Sequence, residues 1–294
     1  MDIKIAKHYG GKKCAFSFVF DDGCYYSSTL ETIKVFEEVF KKTGVKIKAT
    51  SAQTVNFISE GLKSLWDKAI EDGWYDVCSH SIDHCICYNG ETPLEKREFD
   101  ARVSKEKLEE MYKTDMITFA TPGGGATPEG CEILLKYYYA VRNGNDYIND
   151  PDNLSWADIG TFTTKKEYES EKYIEFINTL IKSGGWCVQI DHWLSEDEND
   201  KFFVQKTHTF LDECMFLATK SSEGVLWICS FNDAVKYYKE RENAKVEILE
   251  ENEKEITLRV NCPLPQKIFN FPLTLQIGEK YFDVIPNETV KIKI

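Results

Sequence analysis

Two adjacent carboxylates, Asp21 and Asp22, follow the apolar run Cys14–Phe20 and are closed by Gly23. Further along, His80 and His84 stand four apart, Pro122 leads three consecutive glycines, and His192 closes the run "WCVQID". Carboxylate oxygens and imidazole nitrogens are ligands for a divalent cation such as Zn²⁺, and a carboxylate or imidazole left outside such a site can carry protons. Each element also has an ordinary structural use. Asp-Asp-Gly makes a turn, two histidines can share a hydrogen-bond network, Pro-Gly-Gly-Gly punctuates a loop, and a lone histidine can be plain structure. What joins them is position: each lies where a strand-like run stops.

The elements that would hold these residues alternate. "CAFSFVF" reads as a buried strand, and "TLETIKVFEEVFKKTG" as a helix with a glycine stop. "VKIKAT", "WYDVCS", "MITFAT" and "WCVQIDHW" read as strands, separated by the helical patterns of "GLKSLWDKAIEDG", "TPLEKREFDARVSKEKLEEMYK", "TPEGCEILLKYYY" and "EKYIEFINTLIKSGG". Such βα alternation predicts parallel strands covered by helices, with chemistry at the carboxyl ends of the strands. The alternation spans residues 1–240. Over residues 241–294 the pattern becomes short alternating strands: "KVEIL" and "EITLRV" around a charged turn, then "LTLQI", "YFDVI" and "VKIKI" as a three-strand meander. This second region predicts a small antiparallel β appendage.

Composition excludes several partners. With 36 basic and 49 acidic residues the net charge is −13, which repels phosphate backbones and anionic membranes, so neither nucleic acid nor a membrane is expected as a partner. At 294 residues and 42% hydrophobic content the chain can bury a large core, so disorder is not expected. Ten scattered cysteines, several inside apolar runs, read as reduced thiols. With no apolar core of a secretory signal at the start, this predicts a cytoplasmic location.

The set Phe20-Asp21-Asp22-Gly23, His80-Ser81-x-x-His84, the Pro122-Gly123 turn and the late strand ending in His192 resembles the polysaccharide deacetylases of carbohydrate esterase family 4, the NodB-homology group. The resemblance covers roughly the first 240 residues. It implies a distorted (β/α) barrel of about seven strands and a metal-dependent hydrolase that removes acetyl groups, as N-acetyl amides or O-acetyl esters, from an acetylated oligo- or polysaccharide. By the same resemblance Asp22, His80 and His84 hold a divalent metal, Zn²⁺ first, with Co²⁺, Ni²⁺ or Mn²⁺ as alternatives. Asp21 is then the base that activates water, and His192 the acid that protonates the leaving group. The backbone N–H of Gly123 completes an oxyanion site, and Trp193 offers a sugar-stacking face.

The chain departs from the family pattern at the third motif. The arginine that commonly stands two positions before the proline, orienting the catalytic aspartate, is Ala120 here, and the aromatic after the proline is Gly123. Arg142 ends the next strand-like run, "YYYAVR", and is the candidate surrogate partner of Asp21; the alternative is a solvent-facing loop arginine. Two other readings compete with the enzyme. One is a structural zinc site of His80, His84, Cys85 and Cys87, for which the Cys-x-Cys spacing is poor. The other is a non-catalytic carbohydrate-binding protein on a decayed deacetylase barrel.

Overall fold

The structure is a computed structural model describing residues 3–84, 88, 90, 92–197 and 204–293. In chain order the strands are β1 (Ile3–Ile5), β2 (Cys14–Phe20), β3 (Ala49–Gln53), β4 (Tyr75–Ser79), β5 (Thr118–Ala120), β6 (Ala140–Asp146), β7 (Ile159–Thr163), β8 (Trp186–Asp191) and β9 (Leu226–Ile228). The antiparallel strands β10 (Lys245–Glu251), β11 (Glu255–Asn261), β12 (Leu273–Ile277), β13 (Lys280–Val284) and β14 (Thr289–Lys293) follow. The helices are α1 (Tyr26–Thr43), α2 (Glu60–Glu71), α3 (Leu94–Tyr112), α4 (Pro128–Leu135), α5 (Ser170–Ser183), α6 (Thr207–Ser222) and α7 (Phe231–Asn243).

The chain forms two compact units, residues 14–232 and residues 1–13 with 233–294. In the larger unit the parallel strands run β3-β4-β5-β6-β7-β8-β2, and the pairing of β2 with β3 (Val19 with Thr50, Phe20 with Ser51) closes them into a seven-stranded distorted (β/α) barrel. A short eighth strand, β9, lies along the first half of β2, from Cys14 with Leu226 to Phe16 with Ile228.

The period of two along β2 explains where its residues go. Cys14, Phe16, Phe18 and Phe20 pack outward under α1 and α6 with Val35, Phe36, Val39 and Phe210. Ring centroids of Phe18 lie 5.3 Å from Phe210 and 6.3 Å from Phe36. Small Ala15 and Ser17 take the other face, and the alternation sets Asp21 on that face just past the strand. All seven residues of β2 are buried, as expected of a parallel strand covered on both sides. Helix α1 stops at Gly44, whose φ of 73° an L side chain rarely adopts.

In the smaller unit, β10 and β11 form the hairpin expected from the sequence, but the expected three-strand meander is divided. β12 pairs with β13 on one side and with β1 on the other, whereas β14 pairs with β11. Asn287 causes the parting. At φ 64° its N–H donates to Val260 O at 2.7 Å and its side chain bonds Cys262 N and O, both at 2.9 Å, so the chain is turned onto β11. Residues 1–13, grouped by the sequence pattern with the barrel, belong to this unit because β1 registers on β12 (Ile3 with Ile277, Ile5 with Leu275). Among the described residues no helix is long and apolar enough to cross a membrane.

Candidate active site

The Asp-Asp-Gly turn is pinned from both sides. Asp21 N–H donates to Asp191 O on β8 at 2.8 Å, and Gly23 N–H closes back on Asp21 O at 2.9 Å. Asp22 and Gly23 both adopt left-handed backbone, φ 73° and 69°. At position 23 this requires glycine, because a Cβ there would also come within 3.0 Å of Gln53 Cγ.

The histidine segment leaves β4 under similar constraint. His80 N–H donates to Gln53 O at 2.9 Å, and Thr54 Oγ1 donates to His80 O at 3.1 Å. Ser81 and His84 take φ values of 74° and 62°, and Ser81 Oγ accepts the His84 N–H at 2.9 Å. Asp100 on α3 accepts the Ile82 N–H at 2.9 Å and the Tyr88 hydroxyl at 2.8 Å, while burial pushes its carboxyl up to about 6. Three of the five described non-glycine residues at positive φ (Asp22, Ser81, His84) lie in these two turns, so backbone strain is concentrated where the chemical side chains converge.

Those side chains meet at one point. His80 Nε2 lies 3.6 Å and His84 Nε2 3.5 Å from Asp22 Oδ1, and ligand atoms of all three lie within 4.8 Å of one another. His80 Nδ1 is engaged with Ala120 O at 2.8 Å, a contact that turns Nε2 toward the carboxylate. Burial pushes the His80 imidazole down to about 4, which keeps it neutral with a lone pair to give. Asp22 Oδ1 and His80 Nε2 are both buried and lack a hydrogen-bond partner. Buried polar atoms left in this way are costly. One carboxylate and two neutral imidazoles arranged so fit a divalent cation.

Asp21 is 5% exposed and stands outside this triangle, its Oδ2 4.0 Å from His80 Nε2. Burial alone would raise its carboxyl, but the guanidinium of Arg142, with His80 and His192, holds it below the usual carboxylate range. Arg142 Nη2 donates to Asp21 Oδ1, and at 1% exposure Arg142 is a core residue, not a loop arginine in solvent. The register explains its reach. Arg142 on β6 is the direct partner of Ala120 on β5, so the guanidinium enters one strand over from the position where the resemblance expects an arginine. The contact uses a single nitrogen, and Arg142 Nε has no hydrogen-bond partner, so a two-pronged fork is not formed.

A cleft of about 480 Å³ opens over these groups, lined by Asp21, His80, His84, Arg142 and His192 with Gly123 on its wall. At Gly123, φ 66°, an added Cβ would meet nothing within 4 Å, so the wall is open on that side. His192 follows β8 on the same strand face as Ile190, which also lines the cleft. Trp193 packs its ring on Tyr25, centroids 4.4 Å apart. Cys85 and Cys87, proposed with His80 and His84 as a zinc site, lie outside the described residues. Asp100, Tyr25 and Phe57, whose ring stacks on His84 at 6.4 Å, support the site with no signal in the sequence. The first sits in a run that reads as a charged helix, and the other two lie in segments between the runs that read as strands and helices.

No protein-family model matches the chain. Among curated proteins a gellan lyase of a Bacillus species is similar at 19% identity over 233 residues, which is 72% of this chain and 9% of that protein; the chain thus spans less than a tenth of that relative's length. Among solved structures, a protein of Mycobacterium smegmatis assigned to the polysaccharide deacetylases is similar with a TM-score of 0.57 at 10% identity, over 79% of this chain and 92% of that one. A family 4 acetyl xylan esterase from Clostridium thermocellum, solved with a cobalt ion, gives a TM-score of 0.50 at 12% identity over 76% and 91%. The barrel has the polysaccharide deacetylase fold. A mutant of a CE4-family pseudoenzyme from Bacillus anthracis, with restored enzymatic activity, is similar to the same degree, with a TM-score of 0.50 at 15% identity over 77% and 69%. The fold is therefore shared by proteins with and without activity, and a functional reading must rest on side chains.

Proposed function

We propose that this chain is a metal-dependent carbohydrate deacetylase, hydrolysing N-acetyl amides or O-acetyl esters on a saccharide. The observation that carries the reading is the pairing of two unlike aspartates: Asp22, converging with His80 and His84, beside Asp21, held ionised by Arg142. A divalent cation held by Asp22, His80 and His84 would polarise the acetyl carbonyl and acidify a water at the same point.

The chain's own groups do the rest. Asp21 takes the proton of the attacking water on Oδ2, since its Oδ1 is engaged by Arg142. The Gly123 N–H donates to the oxyanion as charge develops, because the open glycine wall lets the carbonyl oxygen approach the main chain. His192, in the same cleft, gives a proton to the departing amine or sugar oxygen. Trp193 and Tyr25 form an aromatic pair beside it, against which a sugar face can lie.

Acetate release from panels of acetylated xylo-oligosaccharides and chito-oligosaccharides by the metal-loaded protein tests the reading. Turnover is expected on one panel. The Asp21→Asn protein should keep its metal while kcat falls about 10²–10⁴-fold. Replacing both Cys85 and Cys87 with serine should leave bound metal unchanged. A metal-loaded parent that releases acetate from neither panel would overturn the enzyme reading in favour of a carbohydrate-binding protein.

A further inference from the structure

The three converging side chains are steadied from behind in three ways. His80 is fixed through Nδ1 by the Ala120 carbonyl, and the His84 ring lies against Phe57 at an interplanar angle of 20°. Asp22 is different, because its two oxygens are chemically equivalent and a rotation about Cβ–Cγ exchanges them. Oδ1 faces both imidazole nitrogens and has no hydrogen-bond partner, whereas Oδ2 accepts the Tyr25 hydroxyl at 3.2 Å. A donor on one oxygen selects which oxygen is presented. It also withholds that oxygen from the cation, favouring one-point over two-point ligation.

Tyr25 is itself held. It is the residue before the first turn of α1, and its carbonyl accepts from both Thr29 N and Thr29 Oγ1 at 2.9 Å. Its ring lies 4.4 Å from that of Trp193, and Ser28, three residues on, accepts the Leu194 N–H at 2.8 Å. The start of α1 therefore touches both the carboxylate of Asp22 and the segment directly after His192.

We infer that Tyr25 is a positioning residue of the metal centre: its hydroxyl holds Asp22 Oδ2 so that Oδ1 alone faces the cation, and its ring fixes the Trp193 segment to the same support. The inference rests on the reading of Asp22, His80 and His84 as metal ligands. The hydroxyl and the ring are separable, since phenylalanine keeps the stacking and removes only the donor.

Cobalt binding to the metal-free protein, measured by competition with a chromophoric chelator, tests this without reference to turnover. Tyr25→Phe should weaken Co²⁺ binding about 10–100-fold and change the visible absorption of the bound ion, because a released carboxylate can ligate through both oxygens. Tyr26→Phe, at the neighbouring residue that is 50% exposed, should bind Co²⁺ as the parent does. Tyrosine-to-phenylalanine preserves the packing on Trp193, so tryptophan emission of the metal-free protein should be unchanged and serves as the check on folding. A Tyr25→Phe protein with the parent's affinity and spectrum, while Asp22→Ala loses the ion, would overturn the role of Tyr25 alone. If Asp22→Ala also binds Co²⁺ like the parent, the ligand assignment itself fails.

Discussion

Two groups of buried carboxylates in the barrel unit meet opposite fates. At the strand ends, Asp21 is fully enclosed yet held below the usual carboxylate range by Arg142, His80 and His192. On the outward side of β8, Asp191 and Glu213 of α6 are just as enclosed, and burial pushes them up to about 7 and about 8. Their neighbours are amides. Gln189 Nε2 donates to Asp191 Oδ2 and to Glu213 Oε2, both at 3.1 Å, and Gln205 Nε2 donates to Glu213 Oε2 at 2.8 Å. Hydrogen bonds from neutral amides do not offset the loss of hydration of a charge, whereas a guanidinium does. The fold uses one arrangement to keep a buried carboxylate ionised and the other to make carboxyl groups inside a helix-sheet layer hold their protons to higher pH.

The sharpest way to break this contrast is to take the cation from the first group. Arg142→Met should leave Asp21 buried and unpaired and lower stability by about 3–5 kcal/mol, measured by urea unfolding. Adding Asp21→Asn to that variant should restore much of the loss, because an amide needs no counter-charge. No recovery in the double variant would mean that Arg142 matters through packing and not through Asp21.

The second group is probed by pH. Glu213 and Asp191 have folded-state values above the unfolded carboxylate values of about 4. Between those limits the fold holds protons that the unfolded chain has released, so stability falls as pH rises and levels off above about 8. Glu213→Gln should flatten the decline between pH 5 and 9 by roughly 1–3 kcal/mol, read from unfolding midpoints at several pH values. An equally steep decline in that variant would place the titration elsewhere.

The smallest effect should come from exchanging the cation for another. Arg142→Lys keeps the charge, and because only one guanidinium nitrogen contacts Asp21, the stability cost should stay within about 1.5 kcal/mol, well short of Arg142→Met. A loss equal to that of methionine would show that guanidinium shape, and not charge, holds Asp21.

The chemical residue types, their order and their placement at successive strand ends were legible in the sequence, because strand and helix periodicities are local and a strand's end is where its apolar run stops. Those features sufficed for parallel strands covered by helices, for the turns that carry Asp21, Asp22, His80 and His84, and for the β10–β11 hairpin, whereas closure into a barrel was implied only by the family resemblance. Arg142 marks the limit of such reading. The sequence places it at a rim, but only the pairing of β6 beside β5, Arg142 opposite Ala120, brings it onto Asp21 from 121 residues away. Phe57 on His84, and β14 leaving β13 for β11, were likewise decided by tertiary structure. Each depends on which distant segment arrives at a given position and in what register, and neither spacing nor composition encodes a distance across the fold.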